Sequence, residues 1–270
     1  MVKNAFKTVL FSFFILLNLA CSVSPTYSRK DIESAIKNLC KQEFNIEVKV
    51  WEVGDTIWVY SPFTKMVTDK GEFDTEVSDK IQNIFLSLRR VILSMDKRPE
   101  FYCFVASDIT SGFDLYYVWN IRDLVMIETG FISRGDFQER GAFIHALSTQ
   151  AIGDTQGDHI SRYNITIGEF ISYLVKQNIE KAFSSEATKG NFQINDLHAK
   201  YSNGRLEISF DIIVKKYEEG LPSPYDEAVK SLKKFLKIYD YPPEVTEVVV
   251  TDSFNKKSRF YTIRALREEN

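Results

Sequence analysis

The chain has 270 residues, of which 44% are hydrophobic and 26% are charged, an ordinary balance for a folded protein. This length suffices for one large domain or two modest ones, and the composition excludes an intrinsically disordered chain. The formal net charge is −3, and we recognise no basic stripe that would offset it. Because affinity for nucleic acid comes mainly from lysine and arginine, we expect no nucleic-acid partner.

The N-terminus has the pattern of a secretory signal. Lys3 and Lys7 precede an apolar run from Val9 to Leu17. A run of this length is too short to span a bilayer as a helix, which needs about twenty residues. We therefore interpret residues 1–20 as a signal peptide and residues 21–27 as a short polar tether.

The signal ends in Leu19-Ala20-Cys21, which resembles the lipobox of bacterial lipoproteins, although Asn18 stands where leucine is common. The resemblance covers only this N-terminal segment. It implies that Cys21 is acylated and holds the exported protein in a membrane of the cell envelope. Ser22, in place of aspartate, favours the outer membrane. The alternatives are cleavage near Ala20 by the ordinary signal peptidase and an uncleaved anchor.

A first α+β unit is predicted over 28–129. An apolar stripe indicates a helix over 29–43, and strands over 46–53 and 56–61 form a hairpin around Gly54-Asp55. The central helix of the unit runs from Thr75 to Met95, with Asp74 or Thr75 as its cap. A second hairpin follows, with strands over 101–107 and 113–119, and Asn120 caps a short helix.

Residues 130–165 contain several glycines and few periodic positions, so we expect an irregular insert there. A second α+β unit is predicted over 166–270. Thr166 and Glu169 form a capping box at the start of a helix, and Asn203-Gly204 marks a hairpin turn. A second central helix follows over 225–239, with final strands over 245–251 and 259–265.

The two units share the order helix, hairpin, helix, hairpin, which favours an internal repeat. The alternative is that any two such units look alike at this level of detail. Apolar positions of the two central helices match at constant spacing: Ile81, Ile84, Leu88 and Val91 against Val229, Leu232, Leu236 and Tyr239. Consecutive hairpins predict mainly antiparallel sheets and the α+β class, with each helix covering one sheet face and leaving the other available.

The most site-like loop of the sequence contains Asp154, Asp158 and His159 among glycines, with His145 before it. Carboxylates and imidazole bind divalent ions. However, the spacing matches no calcium loop or zinc motif, and aspartate beside glycine is common turn chemistry. We therefore predict no metal and no cofactor, and treat the three loop residues as weak candidates.

No catalytic residue is predicted. The chain has three histidines, but no Gly-x-Ser-x-Gly elbow and no glycine-rich phosphate loop. Asp108 and Asp252, at matched strand ends, are expected to close turns rather than to form a carboxylate pair. For Cys40 and Cys103, a disulfide and two buried free thiols both remain open.

The sequence thus predicts a membrane-tethered envelope lipoprotein that acts as a non-enzymatic binding or assembly module for an envelope protein or another envelope component. The alternative is a small-molecule or lipid carrier with an aromatic cavity between the two units. A third hypothesis is that the protein is an enzyme that uses the loop from Asp154 to His159.

Overall fold

The computed structural model describes residues 26–68 and 70–268, so the predicted signal peptide and Cys21 lie outside the described residues. Within these ranges, no helix has the length and apolar character needed to cross a membrane. One five-stranded and one four-stranded sheet, each with helices packed on it, confirm the predicted α+β class.

The first unit contains the predicted elements with slightly shifted bounds. Their order is Arg29–Asp31 (a 3-10 turn), α1 (Ile32–Phe44), β1 (Lys49–Val53), β2 (Thr56–Phe63), α2 (Thr75–Leu93), β3 (Phe101–Asp108), β4 (Phe113–Asn120) and α3 (Ile121–Glu128). The side chain of Asp74 caps α2 by accepting from the amide of Val77, and Asn120 caps α3 by accepting from the amide of Arg122.

The stretch over 130–165, predicted to be irregular, is partly ordered. It contains α4 (Arg134–Glu139), β5 (Ala142–Leu147) and a 3-10 turn, Thr149–Ala151. β5 pairs antiparallel with β4 and forms one edge of the first sheet. Five of its six residues are apolar, but they do not alternate with polar residues, so the period-two pattern of a strand is missing. Its structure depends on pairing with β4, which the local sequence does not reveal.

The second unit consists of α5 (Ile167–Ser184), β6 (Phe192–Ser202), β7 (Arg205–Val214), α6 (Pro224–Ile238), β8 (Glu247–Asp252), β9 (Lys257–Thr262) and α7 (Ile263–Glu268). Thr166 and Glu169 form the predicted capping box. The last predicted strand is wrong beyond Thr262, because α7 begins there and buries Leu266 completely in the core.

The two units share one strand topology. In each, the central helix crosses from the first hairpin to the second, so that β2 pairs with β3, and β7 with β8, in parallel. Each sheet is therefore mixed, because a helical crossover lets the two inner strands run in the same direction. All other neighbouring strands pair antiparallel, which confirms the prediction of mainly antiparallel sheets. The register repeats as well: Phe104 faces Tyr117 across β3 and β4, and Val248 faces Tyr261 across β8 and β9.

Helix α5 lies between the two sheets. Helices α1 and α2 cover one face of the first sheet, and α5 packs against the other. Phe101 of β3 contacts Phe170 of α5 with 5.2 Å between ring centroids, and every residue of β3 is buried. The expectation that each sheet keeps a free face is thus wrong for the first sheet. The second sheet does keep a free face, because buried and more exposed residues alternate along its strand β7.

Candidate functional site

Two of the predicted loop residues, Asp154 and His159, meet in a buried polar cluster. Nδ1 of His159 lies 2.6 Å from Oδ2 of Asp154, and Nε2 lies 3.1 Å from Oδ2 of Asp114 on β4. The second contact requires one proton on either the ring or the Asp114 carboxyl. The hydroxyl of Tyr60 on β2 donates to the carbonyl oxygen of Asp154. These hydrogen bonds connect the loop that precedes α5 to the first sheet.

Asp154 also organises the backbone of this loop. Its Oδ1 accepts from the amides of Gln156 and Gly157, each at 2.8 Å, and its Oδ2 accepts from the amide of His159 at 3.0 Å. Burial by itself raises the pKa of this carboxyl. The hydrogen bonds from the His159 ring and the backbone amides outweigh burial and bring the pKa of Asp154 well below its usual range.

The polar cluster is closed to a substrate. The side chain of His159 is only 3% exposed and that of Asp114 only 1%. Ser107 pairs with Asp114 across β3 and β4, and its hydroxyl is buried without a hydrogen-bond partner in the described part of the chain. A catalytic base needs a reacting group within reach. The geometry therefore favours a structural role for this cluster.

The other polar candidates are dispersed over the surface. Asp158 and His145 are exposed, and His198 on β6 forms an exposed ion pair with Asp196 at 2.8 Å. Across residues 26–68 and 70–268, no group of three or more histidine, cysteine or acidic side chains is arranged to hold a metal ion.

Asp108 and Asp252 close turns at equivalent strand ends, as the sequence predicts. Asp108 accepts from the amides of Thr110 and Ser111 at 3.0 and 3.1 Å. Asp252 accepts from the amide and the side chain of Asn255. Each carboxylate therefore satisfies the backbone of its own turn.

Cys40 and Cys103 are both free and buried. Cys40 belongs to the core between α1, α2 and the first sheet, whereas Cys103 belongs to the core on the opposite face of that sheet. The sheet therefore separates the two sulfur atoms and prevents a disulfide. Burial raises the pKa of both thiols, which makes them unreactive.

An aromatic groove with a volume of about 670 Å³ lies on the first unit between α2, the paired strands β4 and β5, and the α3–α4 segment. Its apolar lining consists of Phe85, Leu86, Tyr102, Tyr117, Trp119, Leu124, Ile127, Phe137 and Phe143. Leu86 and Phe143 are each 41% exposed. This groove lies within the first unit, whereas the carrier alternative placed an aromatic cavity between the two units.

The rings of the aromatic groove hold one another in place. Phe85 meets Trp119 edge to face with 5.4 Å between ring centroids, and Tyr117 meets Phe143 in the same way at 5.4 Å. Phe137 stacks on Trp119 at 5.8 Å. A Cβ at Gly141 would lie 2.5 Å from Nε1 of Trp119, so this glycine lets the chain pass directly against the indole. These ring pairs pack the walls of the groove against one another.

Polar and charged side chains also line the aromatic groove, namely Gln82, Asn83, Arg89, Glu128, Arg134 and Gln138. Burial raises the pKa of the Tyr117 hydroxyl, which therefore remains a neutral donor, and this hydroxyl has no hydrogen-bond partner among the described residues. Arg89 and Glu128 form an ion pair at the rim. Apolar walls with a few polar groups are the usual composition of a ligand pocket.

No family model, no curated protein and no solved structure matches this chain. The aromatic groove was not placed by the sequence. Sequence patterns missed it because its walls come from α2, β4, α4 and β5, which only the tertiary fold brings together. One signal was available: every second residue of β4, from Phe113 to Trp119, is aromatic or leucine, which marks an apolar sheet face.

Proposed function

We propose that this protein is a non-enzymatic binding protein of the bacterial cell envelope that captures an apolar segment of a protein partner in the aromatic groove. In this proposal, acyl chains on Cys21 tether the chain to the membrane, and Ser22 favours the outer membrane. The observation that carries the proposal is the 41% exposure of both Leu86 and Phe143 beside packed aromatic rings. Exposed aromatic surface of this kind is typical of protein interfaces.

The position of β5 favours a protein as the ligand. β5 is an edge strand, and Phe143, His145 and Leu147 alternate along it, with Leu147 81% exposed. An extended segment that adds to a sheet edge places alternate side chains on the neighbouring face. The amide of Phe143 already donates to Oε1 of Gln177 at 2.7 Å. Strand addition would therefore use the part of β5 that follows Phe143.

A second candidate function is the capture of a small apolar molecule or a lipid. The volume of about 670 Å³ falls within the range of small-molecule pockets. The neutral hydroxyl of Tyr117 can supply a directional donor for such a ligand. This candidate uses the same groove, so the two are separated by the identity of the bound molecule.

A photo-reactive residue at position 86 tests the protein partner. We expect irradiation of cells to give one discrete crosslinked protein, which the additional change Phe143→Ser abolishes. The control places the photo-reactive residue at Tyr217, which is 83% exposed and far along the chain in the second unit. The same band from both positions would contradict binding in the groove.

Native mass spectrometry of the purified protein tests the small-molecule ligand. A bound apolar molecule, present in the wild type and lost in the Phe143→Ser variant, would establish the second candidate. A protein with neither a discrete crosslink at position 86 nor a bound molecule would refute the groove as a ligand site. The tether is tested separately: Cys21→Ala should release the protein from the membrane fraction, and continued association would disprove acylation as the tether.

A further inference from the structure

The second unit has a cleft at the position equivalent to the aromatic groove. This cleft lies between α6 and β9 and has a volume of about 540 Å³. The register that matches Leu88 with Leu236 gives four further matched positions on the two helices. The groove residues Gln82, Phe85, Leu86 and Arg89 correspond to Lys230, Lys233, Lys234 and Lys237. The strands match as well, because Tyr117 of β4 corresponds to Tyr261 of β9.

The chemistry of the second cleft is cationic instead of aromatic. We call it the cationic cleft, and its charged lining comprises the four lysines of α6, Arg259 of β9 and Asp226. Lysines spaced three and four residues apart on one helix repel one another. This concentration of positive charge lies within a protein whose net charge is −3. It attracts a negatively charged ligand, which would relieve the repulsion between the lysines.

Ion pairs within the protein neutralise only part of this charge. Lys230 lies 3.3 Å from Glu227, and Lys234 lies 2.7 Å from Glu139. Lys233 also has an interaction partner. In the part of the chain that the structure describes, Lys237 and Arg259 have no acidic group within ion-pair distance. Both side chains are exposed, so a ligand can reach them.

Two tyrosine hydroxyls add neutral donors to the cationic cleft. The hydroxyls of Tyr225 and Tyr261 lie 2.8 Å apart, so one donates to the other. The remaining hydroxyl proton has no partner among the described residues. Burial raises the pKa of Tyr225, which is 4% exposed, and keeps it a neutral donor. The Lys257 ammonium packs over the Tyr225 ring at 4.0 Å from its centroid.

We propose that the cationic cleft binds a phosphate group, carried by a soluble organic phosphate or by a lipid headgroup. Lysine and arginine form charge-assisted hydrogen bonds to phosphate oxygens, and a tyrosine hydroxyl complements them. This site is separate from the aromatic groove, because it lies in the other unit and its lining has the opposite chemistry. The repeat thus places a cleft at equivalent positions of the two units. The cleft of the first unit suits an apolar ligand, and that of the second suits an anionic one.

Inward-facing cations on an edge strand also discourage unwanted strand pairing. That role accounts for Lys257 and Arg259 on β9, which is an edge strand of the second sheet. It does not account for the lysines of α6, which belong to no strand. A phosphate ligand accounts for both sets of cations together.

The test uses a chain that begins at Ser22, which retains every residue of both cores. Calorimetric titration with inorganic phosphate and with glycerol phosphate measures soluble ligands. Sedimentation with phosphatidylglycerol vesicles, against phosphatidylcholine vesicles, measures headgroup binding. We expect saturable binding that weakens as ionic strength rises. The double variant K237E/R259E should bind at least about tenfold more weakly, since each cation near an anionic surface contributes about 1 kcal/mol.

A matched control is K30E/K200E, which changes the net charge by the same amount at two exposed positions outside the cleft. It should bind as the wild type does. Y261F, which removes a hydroxyl without changing charge, should weaken binding several-fold and leave the urea unfolding midpoint close to that of the wild type.

Each outcome either distinguishes a soluble phosphate from a lipid headgroup or refutes the site. Binding of soluble phosphates identifies a soluble ligand, and binding to anionic vesicles alone identifies a lipid headgroup. Absence of both, or equal weakening by K237E/R259E and K30E/K200E, would overturn the proposal. None of these results depends on whether the aromatic groove binds a ligand.

Discussion

The hydroxyl of Tyr239, directly after α6, donates a 2.6 Å hydrogen bond to Oδ2 of Asp123 in α3. Asp123 is completely buried, and its Oδ1 accepts from Arg140 at 2.9 Å. Burial raises the pKa of Tyr239, so its hydroxyl keeps the proton that it donates. The bond links the second unit to the first. In the repeat, Tyr239 corresponds to Val91, so this polar contact is specific to the second helix.

Removing this hydroxyl should destabilise the whole protein. We expect Tyr239→Phe to lower the free energy of unfolding by about 1–3 kcal/mol, because it leaves a buried carboxylate oxygen without a partner. Urea denaturation followed by circular dichroism measures the change. Tyr217→Phe, at a position 83% exposed, is the control and should leave stability unchanged. Equal stability of both variants would mean that the bond contributes nothing to the contact between units.

The depressed pKa of Asp154 predicts a loss of stability in acid. Because the pKa is lower in the folded state than in the unfolded chain, the unfolded state binds more protons at low pH. The stabilisation is complete above the unfolded value of about 4 and is lost as the pH falls below it. Asp154→Asn should therefore be less stable at neutral pH and show a smaller decrease in stability as the pH falls from about 4 to about 2.

Urea denaturation at a series of pH values measures this difference. Asp158→Asn is the matched control, since this neighbouring carboxylate is exposed and outside the cluster. Its stability should follow the wild-type pH dependence. A pH profile of Asp154→Asn that runs parallel to the wild type would contradict the assigned hydrogen bonds.

Gly141 controls the shape of the aromatic groove. Gly141→Ala would place a methyl group 2.5 Å from Nε1 of Trp119, closer than non-bonded atoms approach. We expect a shifted tryptophan fluorescence maximum, weaker ligand binding in the groove and a loss of about 1–3 kcal/mol in stability from overpacking. Gly135→Ala is the control, because the nearest atom to its added Cβ would be 3.7 Å away. Unaltered fluorescence in Gly141→Ala would disprove the close approach.

Leu88 and Leu236 occupy matched positions in the two central helices and are 1% and 0% exposed. Leu88→Ala and Leu236→Ala should each lower the free energy of unfolding by about 2–5 kcal/mol, since each leaves a cavity in a core. Leu86→Ala, on the more exposed side of α2, should lower the free energy of unfolding by much less. Chemical denaturation measures all three variants. Wild-type stability of the two core variants would refute this placement.

The regular elements were predictable where local chemistry specifies them. The capping box at Thr166, the turn at Asn203-Gly204 and the apolar stripe of α2 depend on residues close together in the sequence. β5 was missed because its structure comes from pairing with β4. The cluster of Asp114, Asp154 and His159 was recognised only in part, because Asp114 lies on a strand distant from the loop.

By itself, the sequence determined the α+β class and the matched order of the two units, because helical periodicity and turn residues act over short ranges. It also predicts the lipid tether at Cys21. Only the tertiary structure decided that α5 lies between two mixed sheets and that equivalent clefts are aromatic in one unit and cationic in the other. Those features depend on side chains that become neighbours only after strand pairing and helix crossover, so no local pattern encodes them.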